Sequence, residues 1–124
     1  HHKHAEVLAV NVKKNFESNI DACIVALDSL CDFLLSRIYS KHLPKKTYGN
    51  YGNILKNTPS LAAKFPQLFD GLSALHDLRL ESVTAHPSNT KKSTNNRRLK
   101  HKDFAEIKPK VRASLMELKR KNEI

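Results

Sequence analysis

The stretch Phe16-Glu17-Ser18-Asn19-Ile20-Asp21-Ala22-Cys23-Ile24-Val25-Ala26-Leu27-Asp28-Ser29-Leu30-Cys31-Asp32-Phe33-Leu34-Leu35-Ser36-Arg37-Ile38 decides the fold class. Its apolar residues Phe16, Ile20, Ile24, Leu27, Cys31, Leu34 and Ile38 recur in steps of 4, 4, 3, 4, 3 and 4. That is one helical face held for six turns, with no period-two alternation to suggest a strand. The spacing predicts a long helix from about Ala5 to Ser40, with Val7, Leu8, Val10 and Val12 either extending it or forming a separate first turn. Glu17, Asp21, Asp28 and Asp32 fall within about 60° of one another beside the apolar stripe, and such helix-surface acids read first as a solvated face.

Working outward, Leu43-Pro44 breaks this helix, and Lys45 to Asn53 reads as a loop rich in turn residues. A short helix is expected over Tyr51–Asn57, and another turn over Leu61–Phe65. Pro66 suits the first turn of a third helix carrying Leu68, Phe69, Leu72, Leu75, Leu78 and Val83 inward, with Pro87 ending it after His86. From Pro87 to Lys102 the chain is polar, basic and without periodicity. Asp103-Phe104-Ala105-Glu106 has the form of a capping box opening a last helix with Phe104, Ile107, Val111, Leu115 and Leu118 inward. Pro109 makes that helix either start near Lys108 or kink.

The expectation is therefore an all-α bundle of about four to five helices in a single domain over residues 5–122, with a basic loop at 87–102. His1, His2 and His4 look like a tag remnant. With 124 residues, 3 Gly, 5 Pro, 6% aromatic residues and no Trp, a many-turned β-sandwich or barrel is excluded. No stretch approaches the ~20 continuous apolar residues of a membrane span.

The net charge of +10 is unevenly distributed. Residues 91–124 hold 12 Lys/Arg against 4 Asp/Glu, whereas residues 1–90 hold 10 against 8. A nearly neutral body with a strongly basic last quarter points to a polyanionic partner, nucleic acid before membrane. Lys91, Lys92, Arg97, Arg98, Lys100 and Lys102, joined by Lys45 and Lys46, are the candidate RNA-binding residues. Tyr48 and Tyr51 are candidates for base stacking, although two tyrosines in a Gly/Asn loop more often anchor the loop.

Cys23 and Cys31 lie eight positions apart on one predicted helix, about 12 Å along its axis, too far to bridge. Two buried thiols in a reducing cytoplasm are expected. No cysteine–histidine spacing suits zinc, the acidic stripe lacks further ligands, and no Gly-rich phosphate loop exists. No metal and no cofactor are expected.

Arg79 and His86 are seven apart, so on a continuous helix they project from nearly the same side. Arginine binds phosphate as a bidentate, permanently charged donor, and histidine transfers protons near neutral pH. The wider segment Leu75-His76-Asp77-Leu78-Arg79-Leu80-Glu81-Ser82-Val83-Thr84-Ala85-His86-Pro87 resembles the signature of the HEPN superfamily (higher eukaryotes and prokaryotes nucleotide-binding), an arginine followed after four to six residues by histidine. The Asp-Leu-Arg lead-in and Ala-His-Pro exit are similar to those of its stand-alone bacterial members linked to abortive infection and toxin–antitoxin systems.

The resemblance implies an all-α homodimer whose two motifs face a shared cleft. It implies a metal-independent endoribonuclease in which Arg79 and His86 are the catalytic pair and a 2′,3′-cyclic phosphate end is left. Glu81 and Ser82 are candidate helpers in the same turns. An antitoxin protein is a possible further partner in that setting, and a toxin or phage-defence role follows. The alternative is a catalytically inactive helical module that binds nucleic acid or a partner protein, a reading favoured by Leu80, where the family usually carries a polar residue.

Overall fold

A computed structural model describes residues 2–16, 19–82 and 97–124. The chain is all-α: six helices and no strand occur among the described residues. They are α1 (His2–Asn15), α2 (Ile20–His42), α3 (Tyr51–Asn57), α4 (Pro59–Lys64), α5 (Pro66–Leu80) and α6 (His101–Arg120).

The long helix expected from Ala5 to Ser40 is two helices. Asn19 interrupts it: its side chain accepts the Ala22 N–H and caps α2. An Asx side chain at this position supplies the partner that the first turn otherwise lacks, and it holds its own backbone out of the helical region. Phe16 consequently leaves the α2 stripe and meets α6, edge-on to the rings of His101 and Phe104. His101 also bonds the Phe16 carbonyl at 2.7 Å. The rest of the stripe holds, with Ile20, Ile24, Cys31 and Ile38 buried. Leu35, absent from the predicted stripe, is buried as well.

α5 is the central helix, packed against α2, α3, α4 and α6. Leu68, Leu72 and Leu75 from α5 form the core with Ile24 and Leu35 of α2, Phe65, Leu99 and Leu118. Each such side chain contributes about 1.5–3 kcal/mol through burial. The seam between α5 and α6 is unusually close at Gly71, where a Cβ would overlap Ser114 Oγ and the Lys110 carbonyl oxygen. Buried Glu117 accepts the Leu68 N–H at 2.8 Å, which satisfies an amide in the first turn of α5 that Pro66 starts. Ser114 Oγ donates to the Gln67 carbonyl at 2.8 Å across the same seam.

Two boundaries differ from expectation. α5 ends at Leu80 instead of reaching His86. The Glu81 N–H closes back on Leu78, and the Glu81 carbonyl accepts from Arg97 N at 2.8 Å, not from a following helical amide. The Ser82 hydroxyl donates to the buried Asp21 carboxylate, and Ser82 bridges in parallel with Arg97. The premise that Arg79 and His86 share one helix therefore fails, and Val83 and His86 lie outside the described residues.

At the other end, α6 begins at His101, inside the segment expected as loop to Lys102. Asp103 is not the opening residue of a capping box. It is the third residue of the helix, and its carboxylate accepts the Lys100 N–H at 2.8 Å. Pro109 stands within α6 on an exposed face, where the one carbonyl it leaves unbonded can meet water.

Candidate functional site

A polar cleft of about 730 Å³ opens where the middle of α2, the start of α3 and the end of α5 meet. α2 contributes Asp28 and Asp32, one turn apart. α3 and its approach contribute Asn50, Tyr51, Gly52, Asn53 and Lys56, and α5 contributes His76, Arg79 and Leu80. The short helix α3 sits where it does because Asn50 caps it, accepting the Asn53 N–H at 3.0 Å.

Asp28 is the hub. It is 3% exposed, and a buried carboxylate must be paired. Its Oδ2 accepts from His76 Nδ1 at 3.1 Å and lies 3.3 Å from Arg79 Nε. The arginine contact is ionic, since the Nε–H does not point along a hydrogen bond. Asp28 Oδ1 and the Tyr51 hydroxyl are both buried and have no hydrogen-bond partner. The Tyr51 ring packs edge-on to the His76 imidazole at 4.9 Å. Burial first, and then negative neighbours including Asp28, push the Tyr51 phenol far above its ordinary range. It remains a protonated hydroxyl.

The acidic stripe of α2 is thus not a solvated face. Asp21 and Asp28 are buried: Asp21 receives Ser82 and the Leu99 N–H, and Asp28 receives His76 and Arg79. Asp32 accepts the Tyr48 hydroxyl at 2.6 Å, and Glu17 lies outside the described residues. The helix turns these acids toward α5 and the returning chain at Leu99, which no pattern along α2 alone reveals. No three His, Cys, Asp or Glu side chains among the described residues come together as a metal-ligand set.

The other expected site residues divide. Arg79 lines the cleft, with 28% of its side chain exposed. His86, Lys91 and Lys92 lie outside the described residues. Arg97 is not a free phosphate contact: its guanidinium bridges Asp103 at 2.9 Å and Glu81 at 3.2 Å, clamping the start of α6 to the end of α5. Glu81 and Ser82 are drawn into that clamp and into the bond to Asp21, which turns both away from a helper role. Arg98, Lys100, Lys102, Lys45 and Lys46 are exposed. Tyr48 and Tyr51 are anchors and not stacking platforms, because Tyr51 is buried on His76 and Tyr48 is held by Asp32 and the Tyr39 ring.

Sequence reasoning overlooked His76 and Asp28. The available signal was the three-residue spacing of His76 and Arg79, which puts them on one helical face. It also overlooked the outer face of α6. His101, Lys108, Arg112 and Lys119 fall within an arc of about 40° and all are exposed. Cys23 and Cys31 are both free and buried, as expected. No helix among the described residues is long and apolar enough to cross a membrane.

No protein-family model, no curated protein and no solved structure matches the chain.

Proposed function

We propose that the chain is a metal-independent endoribonuclease of the HEPN type, acting on RNA as a homodimer. Arg79 binds the scissile phosphate and stabilises its developing charge, and His86 acts in acid–base catalysis to leave a 2′,3′-cyclic phosphate. The observation that carries this reading is the setting of Arg79. It sits in the last turn of α5, seven residues before His86 in the chain, at a polar cleft where the buried Asp28 carboxylate lies 3.3 Å from its Nε as a counter-charge. A guanidinium whose ionic contact is made on its Nε side keeps its terminal nitrogens as donors for a phosphate.

RNA is favoured as the substrate by the exposed cations Arg98, Lys100 and Lys102, by Lys45 and Lys46, and by the row Lys108, Arg112 and Lys119 on α6. Affinity carried by these contacts falls steeply with salt. A toxin or phage-defence role, with an antitoxin as partner, belongs to the same reading.

The test is incubation of purified protein with single-stranded and structured RNA in EDTA, with the new ends identified. Cyclic phosphate ends are expected, and Arg79→Ala and His86→Ala each abolish them while the far-UV helical signal is retained. Cleavage that persists in His86→Ala, or that EDTA stops, rejects the proposal. A second reading, a silent RNA- or partner-binding module, is favoured by Leu80, an exposed apolar side chain on the cleft wall beside Arg79. It predicts salt-sensitive retention of RNA with no new ends.

A further inference from the structure

We propose that His76 is a second catalytic histidine, the base that takes the ribose 2′-hydroxyl proton. This inference rests on the ribonuclease reading and adds to it a residue that the Arg79/His86 spacing does not contain.

Cyclising cleavage of a phosphodiester needs two proton transfers, one from the attacking 2′-oxygen and one to the departing 5′-oxygen. His76 is arranged for the first. Its Nδ1 donates to Asp28 Oδ2 at 3.1 Å, and this fixes the tautomer. The neutral ring then carries its lone pair on Nε2. The Tyr51 ring, edge-on at 4.9 Å, holds the imidazole plane.

Nε2 faces Gly52, where a Cβ would come within 3.1 Å of it, so a side chain at position 52 would crowd this ring edge on the cleft wall. Asp28 does not require His76 for charge balance, because Arg79 already supplies a permanent cation 3.3 Å from the same oxygen. Two further features mark the place as a site and not a packed ion pair. Asp28 Oδ1 and the Tyr51 hydroxyl are buried and unpartnered beside the imidazole. Arg79, three residues along the same face, can hold the phosphate whose 2′-oxygen neighbour Nε2 would reach.

The step balances without a co-reactant. The 2′ O–H bond breaks and its proton passes to Nε2, while the 2′-oxygen forms a bond to phosphorus. The bond from phosphorus to the 5′-oxygen breaks, and that oxygen takes a proton from His86. The products are a 2′,3′-cyclic phosphate and a 5′-hydroxyl. The charged and titratable groups that line the cleft with the imidazole are Asp28 and Asp32 from α2, Tyr51 and Lys56 from α3, and Arg79 from α5.

Two substrates separate the histidines. An RNA dinucleotide needs an acid for its 5′-oxygen, whereas uridine 3′-(4-nitrophenyl phosphate) has a leaving group that departs without one. On the dinucleotide, His76→Ala and His86→Ala both lose about 10²–10⁴-fold in rate. On the nitrophenyl ester, His86→Ala regains near wild-type rate, while His76→Ala stays slow and is rescued by added imidazole, which can occupy the vacated place beside Asp28. Gly52→Ala keeps every charge and titrating group but crowds Nε2. It is expected to slow both substrates at least tenfold while unfolding within a few degrees of wild type.

Wild-type cleavage of both substrates, with His76→Ala or Gly52→Ala within threefold of it, overturns the assignment of the base and leaves the ribonuclease reading standing. A slow His76→Ala that imidazole does not rescue also overturns the assignment. If the wild type cleaves neither substrate, both readings fall together.

Discussion

The three glycines of the chain make a graded test of the helix packing. None has a positive φ, so none is required by its own backbone, and the steric cost of alanine at each reports on available space. At Gly71 a Cβ would overlap Ser114 Oγ and the Lys110 carbonyl oxygen and would stand 2.9 Å from the Lys110 carbonyl carbon. Ordinary contact begins at 3.4 Å, so α5 and α6 must part by about half an ångström for that carbon and by more for the oxygen. The obstacle is helix backbone and cannot rotate away.

Overpacking at such a seam costs about 3 kcal/mol, offset by about 1 kcal/mol from replacing glycine in a helix, for a net loss of about 2 kcal/mol. In a domain of this size that lowers Tm by about 8 °C. Ser114→Ala added to Gly71→Ala recovers only part of this, since the Lys110 carbonyl remains. Gly49 has nothing within 4 Å, and alanine there raises stability by about 0.4–1 kcal/mol by restricting the unfolded chain. The assay is thermal unfolding followed by circular dichroism at matched concentrations. A Gly71→Ala protein that melts at or above wild type refutes the close crossing of α5 and α6, and with it the placement of Glu117 at the start of α5.

Four further expectations follow. Asp28→Ala strips the counter-charge from Arg79 and the hydrogen-bond acceptor from His76 and lowers stability by about 2 kcal/mol, less than for a fully buried pair because the arginine is partly exposed; chemical denaturation with an unchanged midpoint contradicts this. Burial, reinforced for Tyr48 by its hydrogen bond to Asp32, raises the phenols of Tyr48 and Tyr51, so both stay protonated in the folded chain above the ordinary value of 10. Their folded-state values lie above the unfolded ones, so the stability linked to them is complete below pH 10 and is lost as pH rises further; alkaline difference absorbance should show their phenolate signal only on unfolding.

Burial pushes Cys31 up to about 12, with Asp28 and Asp32 adding to it, and both buried thiols should resist a disulfide reagent at pH 8 until denaturant is added. Burial pushes Glu123 up, but hydrogen bonds from Lys41 and His42 outweigh it and hold the carboxyl below its ordinary 4.5. The clasp of the C-terminus on α2 is therefore complete above that value and fails as pH falls below it; Glu123→Gln should remove this part of the acid sensitivity, as read by pH-dependent melting.

How much was legible differs element by element. Pro66 and the turn residues after Pro44 placed α3 and the start of α5, and the turn expected over Leu61–Phe65 is α4 begun two residues earlier at Pro59, because local sterics and capping settle those boundaries. Arg79 was legible as a candidate because its residue type carries chemistry and its surroundings in the chain resemble a known signature. The interruption at Asn19 was also available locally and was overridden by an apolar stripe that runs across it.

The amino-acid order by itself determined an all-α chain with a basic last quarter, and it singled out Arg79 as a candidate by residue type, since helical period, breakers and charge are properties of neighbours in the chain. Only the tertiary structure decided that Asp21 and Asp28 point inward, that Arg97 is consumed in an ion-pair clamp, and that His76 and Arg79 both meet Asp28. The burial of the two carboxylates depends on elements that pack across 48 to 78 residues of separation, as in the bonds from His76 to Asp28 and from Leu99 to Asp21, and the Arg97 clamp depends on the chain returning beside Glu81. A carboxylate on a helix surface looks the same along the chain whether water or a distant donor faces it, and its burial is set by that donor, a cation for Asp28 and a hydroxyl and an amide for Asp21.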